Sequence, residues 1–112
     1  MEYIYKIYNE VYNDMISGKK NMEFRLLNEK SSSINIGDTI KFIVVDDENK
    51  YLLTKVIDKF IYDDLNSVCE SDEYLNNNLD CSKEEFISLF NKIFGEDMVK
   101  NSEIVGFKIE LI

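Results

Sequence analysis

The spacing of apolar residues switches between two periods along this chain, and each switch marks an element. Tyr3, Ile4, Tyr5, Ile7 and Tyr8 form a short segment rich in strand formers. Asn9 is placed to cap a helix whose apolar side is Val11, Tyr12, Met15 and Ile16, and Gly18 stands where a left-handed residue would end it. From 21 to 27 the period returns to two. Met22, Phe24 and Leu26 share one face and Glu23, Arg25 and Leu27 the other, which predicts a half-buried strand. A polar loop is expected over 28–35, leading through Ile36-Gly37-Asp38 into a strong strand at 39–45. Asp46-Asp47-Glu48-Asn49 predicts a turn into a second strand, 51–62, long enough to bend round a barrel through a bulge.

Asp63 or Asp64 is placed to cap a short helix ending near Cys69. Residues 70–80 show no period and predict a loop. Ser82 and Glu85 form a capping box ahead of Phe86, Leu89, Phe90, Ile93 and Phe94, the clearest helix in the chain, which Gly95 ends. Residues 103–111 close as a strand with Val105, Phe107, Ile109 and Leu111 on one face. The predicted order is strand, helix, three strands, two helices, strand. The hairpin must be antiparallel and the helices segregate from the main run of strands, so the fold class expected is α+β. No repeat or linker divides residues 1–112, and a single domain is expected.

Composition narrows the chemistry. There is no histidine, which excludes Ser-His-Asp and Cys-His catalysis, and the two cysteines fall short of the four ligands of a structural zinc site. No metal and no cofactor are expected. No apolar run approaches a membrane span and the N-terminus lacks a signal pattern, so a soluble, cytoplasmic protein with reduced Cys69 and Cys81 is expected. The net charge of −9 argues against gripping long nucleic acid through its phosphates, while leaving room for a local basic pocket.

The most informative stretch is Gly18-x-Lys20-x-x-Glu23-x-Arg25, followed by Gly37-Asp38 and an apolar strand. This resembles the ASCH domain, a PUA-like family whose signature is G-x-K-x-x-E-x-R ahead of a G-D turn, and the element order agrees along nearly the whole chain. The resemblance implies a small PUA-like β-barrel flanked by helices, with a cleft between them where the motif lies. It implies RNA-linked or nucleoside-linked roles. Some short bacterial members are amidohydrolases of N4-acetylcytidine that use the motif Lys, a hydroxyl residue and a downstream acid. Lys20 falls on the position of that Lys, and Glu23 stands where those enzymes carry Thr. Glu70, Asp72, Glu73 and Asp80 are all candidates for the acid.

The residues support a site on their own terms. On a strand, Glu23 and Arg25 point to one face about 7 Å apart, and Lys20 sits just before it. Two cations around one carboxylate suit a small ligand bearing both donors and acceptors, with Arg25 on a phosphate or carbonyl edge and Glu23 accepting from an exocyclic amine. A lysine desolvated beside a second cation also becomes a better nucleophile or base. The expected ligand-binding set is Gly18, Lys20, Glu23 and Arg25, with Lys20 and Glu23 as the catalytic pair if the protein is an enzyme. The expected partner is a nucleotide, modified nucleoside or short RNA feature. The competing readings are a structural ion pair on a solvated face and an acidic module that docks on a basic partner.

Other features read as structure. The acidic runs at 46–48 and 63–85 lack the alternating ligands of a calcium loop. Phe86, Phe90 and Phe94 make a stripe expected to be core, and Tyr3, Tyr5, Tyr8 and Tyr12 are expected to pack, with one ring available to border a cleft. Cys69 and Cys81 have no basic neighbour in sequence and are expected to be small buried residues.

Overall fold

The structure, a computed structural model, describes residues 1–75 and 82–112. Asp80 and Cys81 lie outside the described residues. The elements are β1 (Glu2–Ile7), α1 (Asn9–Ile16), β2 (Met22–Leu26), α2 (Glu29–Ser33), β3 (Thr39–Val44), β4 (Asp47–Tyr62), α3 (Leu65–Glu70), α4 (Asp72–Leu75), α5 (Lys83–Phe94), α6 (Glu96–Lys100) and β5 (Ile104–Leu111).

The five strands make one mixed sheet in the order β1-β3-β4-β5-β2. All neighbours are antiparallel except β1 and β3, which run parallel. The sheet curls into a half-barrel flanked by helices, an α+β PUA-like architecture. The long strand β4 bends at a register shift between Val56 and Asp58, the bulge expected of a strand that rounds a barrel.

Each face of the curl buries its own core. The concave side holds Tyr5, Ile7, Ile40, Phe42, Leu52, Val56, Phe107 and Ile109, closed by Met15 of α1 and by Ile34. The convex side of β2 and β5 holds Met22, Phe24, Leu26 and Ile104, covered by Leu65 and Val68 of α3, Phe90 of α5 and Val99 of α6. β2 is therefore buried on both faces, where a half-buried strand was expected. Met22, Phe24 and Leu26 go under the helices, and Glu23 and Arg25 turn towards the barrel interior.

Gly106 shows how tightly this second core is set. It lies opposite Phe24 in the ladder, and a Cβ built there would stand 2.9 Å from Phe24 Cε1 and 3.1 Å from Met22 Cε. The missing side chain lets both residues cross the strand. Gly106→Ala is expected to destabilise the fold by about 1–3 kcal/mol through overpacking, measured as a lower urea midpoint.

Several boundaries differ from the sequence expectations, each for a local reason. Residues 28–35 are not a continuous loop. Asn28 Oδ1 accepts from Ser31 N–H at 2.9 Å and Ser31 Oγ accepts from Asn28 N–H at 2.9 Å, a capping box that holds the helix α2 without any apolar stripe. Asn9 lies inside α1 rather than capping it, and its Oδ1 accepts from Lys50 Nζ at 2.6 Å. The hairpin turns earlier than expected, at Val45-Asp46 with Asp46 at φ 69°, so Asp47 already belongs to β4. Residues 72–75 and 96–100 form single helical turns too short to show a period. Leu111 is exposed at the strand end rather than sharing the buried face of Ile109. The caps at Asp64 and Ser82, and the positive φ of Gly18 and Gly95, are as expected.

Candidate functional site

The chain leaves α1 at Gly18, whose φ of 84° turns it out of the helix, and enters β2 at Met22. The turn between them carries Lys20. Its N–H donates to Asp14 O at 3.0 Å, which ties this residue to the last turn of α1. Lys20 Nζ then lies 3.5 Å from Glu23 Oε1, and Arg25 Nη2 lies 3.3 Å from Glu23 Oε2. One cation thus sits at each oxygen of a carboxylate that is itself buried, with Glu23 6% exposed. Burial would push the Glu23 carboxyl up, but the charges of Lys20 and Arg25 and their hydrogen bonds outweigh it and hold the group below the usual carboxylate range. The solvated-face ion pair weighed from sequence is therefore not what forms.

Arg25 is fixed from four sides. Nη2 also donates to Lys6 O at 3.1 Å, the guanidinium carbon lies 4.2 Å from the centroid of the Tyr5 ring, and the Phe94 ring is 5.9 Å away on α5. Because β1 and β2 are the two edges of the sheet, the bond to Lys6 carries Arg25 across the seam of the half-barrel. Lys30 of α2 adds a second crossing: its Nζ lies 4.1 Å from the Tyr5 centroid and donates to Ile4 O. Burial raises the Tyr5 phenol and the Arg25 charge opposes that rise. Arg25 Nε and the Tyr5 hydroxyl are buried with no hydrogen-bond partner among the described residues.

A cleft of about 330 Å³ opens at this seam. Its floor is Lys20, Glu23, Phe24 and Arg25; one wall is Lys6, Ile7, Tyr8, Glu10, Val11 and Asp14, and the other is Phe86, Leu89, Phe90, Ile93 and Phe94 of α5. The volume lies at the lower end for small-molecule sites, and an apolar wall facing a few convergent polar groups is their usual make-up. Three cations and three carboxylates line it, so the cleft is balanced in a chain of net charge −9.

The structure brings Lys20, Glu23 and Arg25 together and leaves Gly18 outside this cleft, at the turn that positions Lys20. Among the described candidates for the downstream acid, it separates them from Glu70, Asp72 and Glu73. Glu73 accepts from the Tyr62 hydroxyl at 2.9 Å and lines, with Asp72 and Asp58, a different depression beside Asn21 and Lys108. Burial pushes the Tyr62 phenol up, a hydrogen bond with Ser71 opposes this and Glu73 adds to the rise. Glu70 ends α3, exposed. The acids that do line the cleft are Glu10 and Asp14, which sequence reasoning missed; their signal was the i, i+4 spacing on the polar side of α1. The Phe stripe serves two ends. Phe90 is core as expected, while Leu89 and Ile93, beside it on a broad apolar arc, are exposed and form the cleft wall. Tyr5 and Tyr8 are the tyrosines at the site, one under Arg25 and one on the rim.

Cys69 is buried as expected. Among the described residues no group of three or more His, Cys, Asp or Glu is placed to hold a metal ion, and no helix is long and apolar enough to cross a membrane.

No family model matches the sequence, and no curated protein does. Solved structures do, and they define the class: the fold is ASCH-like. The ASCH protein of Zymomonas mobilis superposes with a TM-score of 0.67 at 14% identity over 97% of this chain and 66% of its own. The ASCH domain from Lactobacillus crispatus does so with a TM-score of 0.67 at 12% identity, over 97% and 79%. The chain is more similar to two proteins of its own length. They are the hypothetical protein PH0355 (TM-score 0.81, 26% identity, all of both chains) and the protein PF0455 from Pyrococcus furiosus (TM-score 0.75, 28% identity, 100% and 98%).

Proposed function

We propose that this ASCH-like domain binds the base of a nucleotide, modified nucleoside or short RNA feature in the cleft at the barrel seam. The observation that carries this is the buried Glu23 between Lys20 and Arg25, at the foot of an apolar wall made by α5. A planar ring set against Leu89 and Ile93 presents its polar rim to one acceptor and two cationic donors. The balanced charge of the lining favours contacts to a base over a grip on several phosphates, whose affinity comes from uncompensated lysine and arginine. Isothermal titration of the wild-type protein with cytidine, uridine, adenosine, guanosine and N4-acetylcytidine tests the reading. Saturable binding of at least one in the micromolar range supports it; the absence of heat with all five removes it.

A hydrolase of an acylated nucleoside is the second reading, favoured by the position of Lys20. It lies in the cleft beside Glu23, and Glu10 and Asp14 supply carboxylates that residues 70–75 do not bring there. In that reaction water adds to the acyl carbon, and acetate and cytidine leave. Chromatography of an N4-acetylcytidine incubation decides it, with cytidine released by the wild type and not by Lys20→Ala. If no cytidine forms, the binding reading stands alone.

A further inference from the structure

The two open edges of the sheet meet at the cleft, and both bring backbone groups to it. On β2, Ile109 N–H donates to Asn21 O at 2.9 Å and Leu27 N–H to Glu103 O at 2.9 Å, so the odd residues of this strand bond to β5. Alternation along an antiparallel strand then turns the N–H and C=O of Met22, Phe24 and Leu26 away from the sheet. Leu26 O is taken, accepting from Ser31 Oγ at 2.8 Å. Phe24, at the centre of the strand, lines the cleft, and among the described residues neither its N–H nor its C=O has a hydrogen-bond partner. On β1, Thr39 N–H donates to Met1 O and Val45 N–H to Ile7 O, so Lys6 is turned away from β3 towards the same gap. Lys6 O is filled by Arg25 Nη2.

An unpaired strand edge is a template for a further strand. Here the Arg25 side chain runs from β2 to β1 one residue beyond Phe24 and closes the gap to an extended chain. What remains is room for a compact group beside that bridge. The N–H and C=O of one extended residue lie side by side, and they match a ligand edge on which an acceptor and an N–H donor are neighbours. Nucleobases carry that pattern on their pairing edges.

We infer that the Phe24 peptide edge is the recognition element of the cleft: its N–H donates to an acceptor of a heterocyclic base, and its C=O accepts from the adjacent ligand N–H. This rests on the reading that the cleft takes a base, and it names the group that reads it. The Phe24 side chain has another task, packed under α5 against Phe86 at 5.9 Å between ring centroids. Recognition of a base edge then comes from the main chain, and selection among bases from Glu23 and Arg25 at the remaining polar rim.

The experiment uses the full chain with cytidine, uridine, adenosine, guanosine and N4-acetylcytidine as probes. Exchange of the Phe24 amide with solvent, followed by NMR, is fast in the free protein and slows at least about tenfold in the complex of whichever nucleoside binds. Replacing Phe24 with its α-hydroxy acid counterpart exchanges that N–H for an ester oxygen and keeps the side chain, and affinity falls at least about tenfold, the worth of one hydrogen bond left unmade. Unchanged Phe24 exchange in a saturated wild-type complex overturns the inference while base binding survives, and this readout does not depend on the variant folding. If none of the five nucleosides binds the wild type, the base-binding reading falls and this inference falls with it.

Discussion

Glu23→Ala is expected to destabilise the fold by about 3–5 kcal/mol, the range for removing one partner of a buried ion pair. The loss is not that of a contact alone. Lys20 and Arg25 have side chains only 10% and 17% exposed, and without Glu23 they face each other across the floor of the cleft with no counter-charge between them. Urea denaturation followed by circular dichroism measures the loss. A drop below about 1 kcal/mol, the usual worth of an exposed pair, would mean that the array is solvated in solution. The same carboxylate sets a pH dependence with a definite sign. Its folded pKa is below its unfolded one, so the folded state binds fewer protons and the contribution of Glu23 is complete above the ordinary carboxylate range. It is lost as the pH falls through the lowered folded value. The gap in urea midpoint between wild type and Glu23→Gln is therefore expected to be constant from pH 7 to about 5 and to close only in stronger acid.

Arg25→Ala is expected to weaken nucleoside binding by about 100-fold, or about 2.8 kcal/mol at 1.4 kcal/mol per decade. The guanidinium is the one side chain that bonds Glu23, spans the seam to Lys6 and packs on Tyr5. Its loss takes a ligand donor and leaves the cleft carboxylate half-paired. Arg25→Lys keeps the charge but not the planar fork or the stacked geometry, and is expected to recover no more than about tenfold. Calorimetric titration of both variants with the best wild-type ligand, beside their melting curves, separates a binding effect from an unfolding one. Equal affinity of wild type and Arg25→Ala would move the ligand away from the seam.

Much of this fold was legible from local pattern. The alternation of Met22 to Leu26, the Ser82 N-cap and the glycine stops at 18 and 95 all depend on neighbours a few residues apart, and all recur in the structure. The Glu85 carboxylate meets the Ser82 hydroxyl and not its N–H, so the capping box is half made. What escaped were elements without a period. α2 stands on the Asn28–Ser31 box and on Ser31 Oγ donating to Leu26 O, contacts between polar residues that also make ordinary loops. The turn at Asp46 moved because a register shift at Ile43–Val44 pairs Val44 with Asp47, which depends on the ladder and not on the turn residues. For the site, the motif carried Lys20, Glu23 and Arg25, since their shared face follows from strand alternation. Glu10, Asp14, Leu89 and Ile93 are distant in sequence from the motif and join it only when α1 and α5 close on the seam.

The sequence by itself thus determined which residues could meet a ligand: one carboxylate and two cations at spacings that a turn and a strand must bring together. It also determined that no histidine takes part. Only the tertiary structure decided what that trio is. Burying β2 on both faces removed water from Glu23, so an arrangement that would be a weak surface pair became a tightly held charge array. Curling the sheet brought its first and last strands to one gap, where Arg25 reaches Lys6 and Phe24 lines a cleft walled by an apolar helix. Desolvation and edge-to-edge approach are properties of long-range packing, and no window of the sequence contains them.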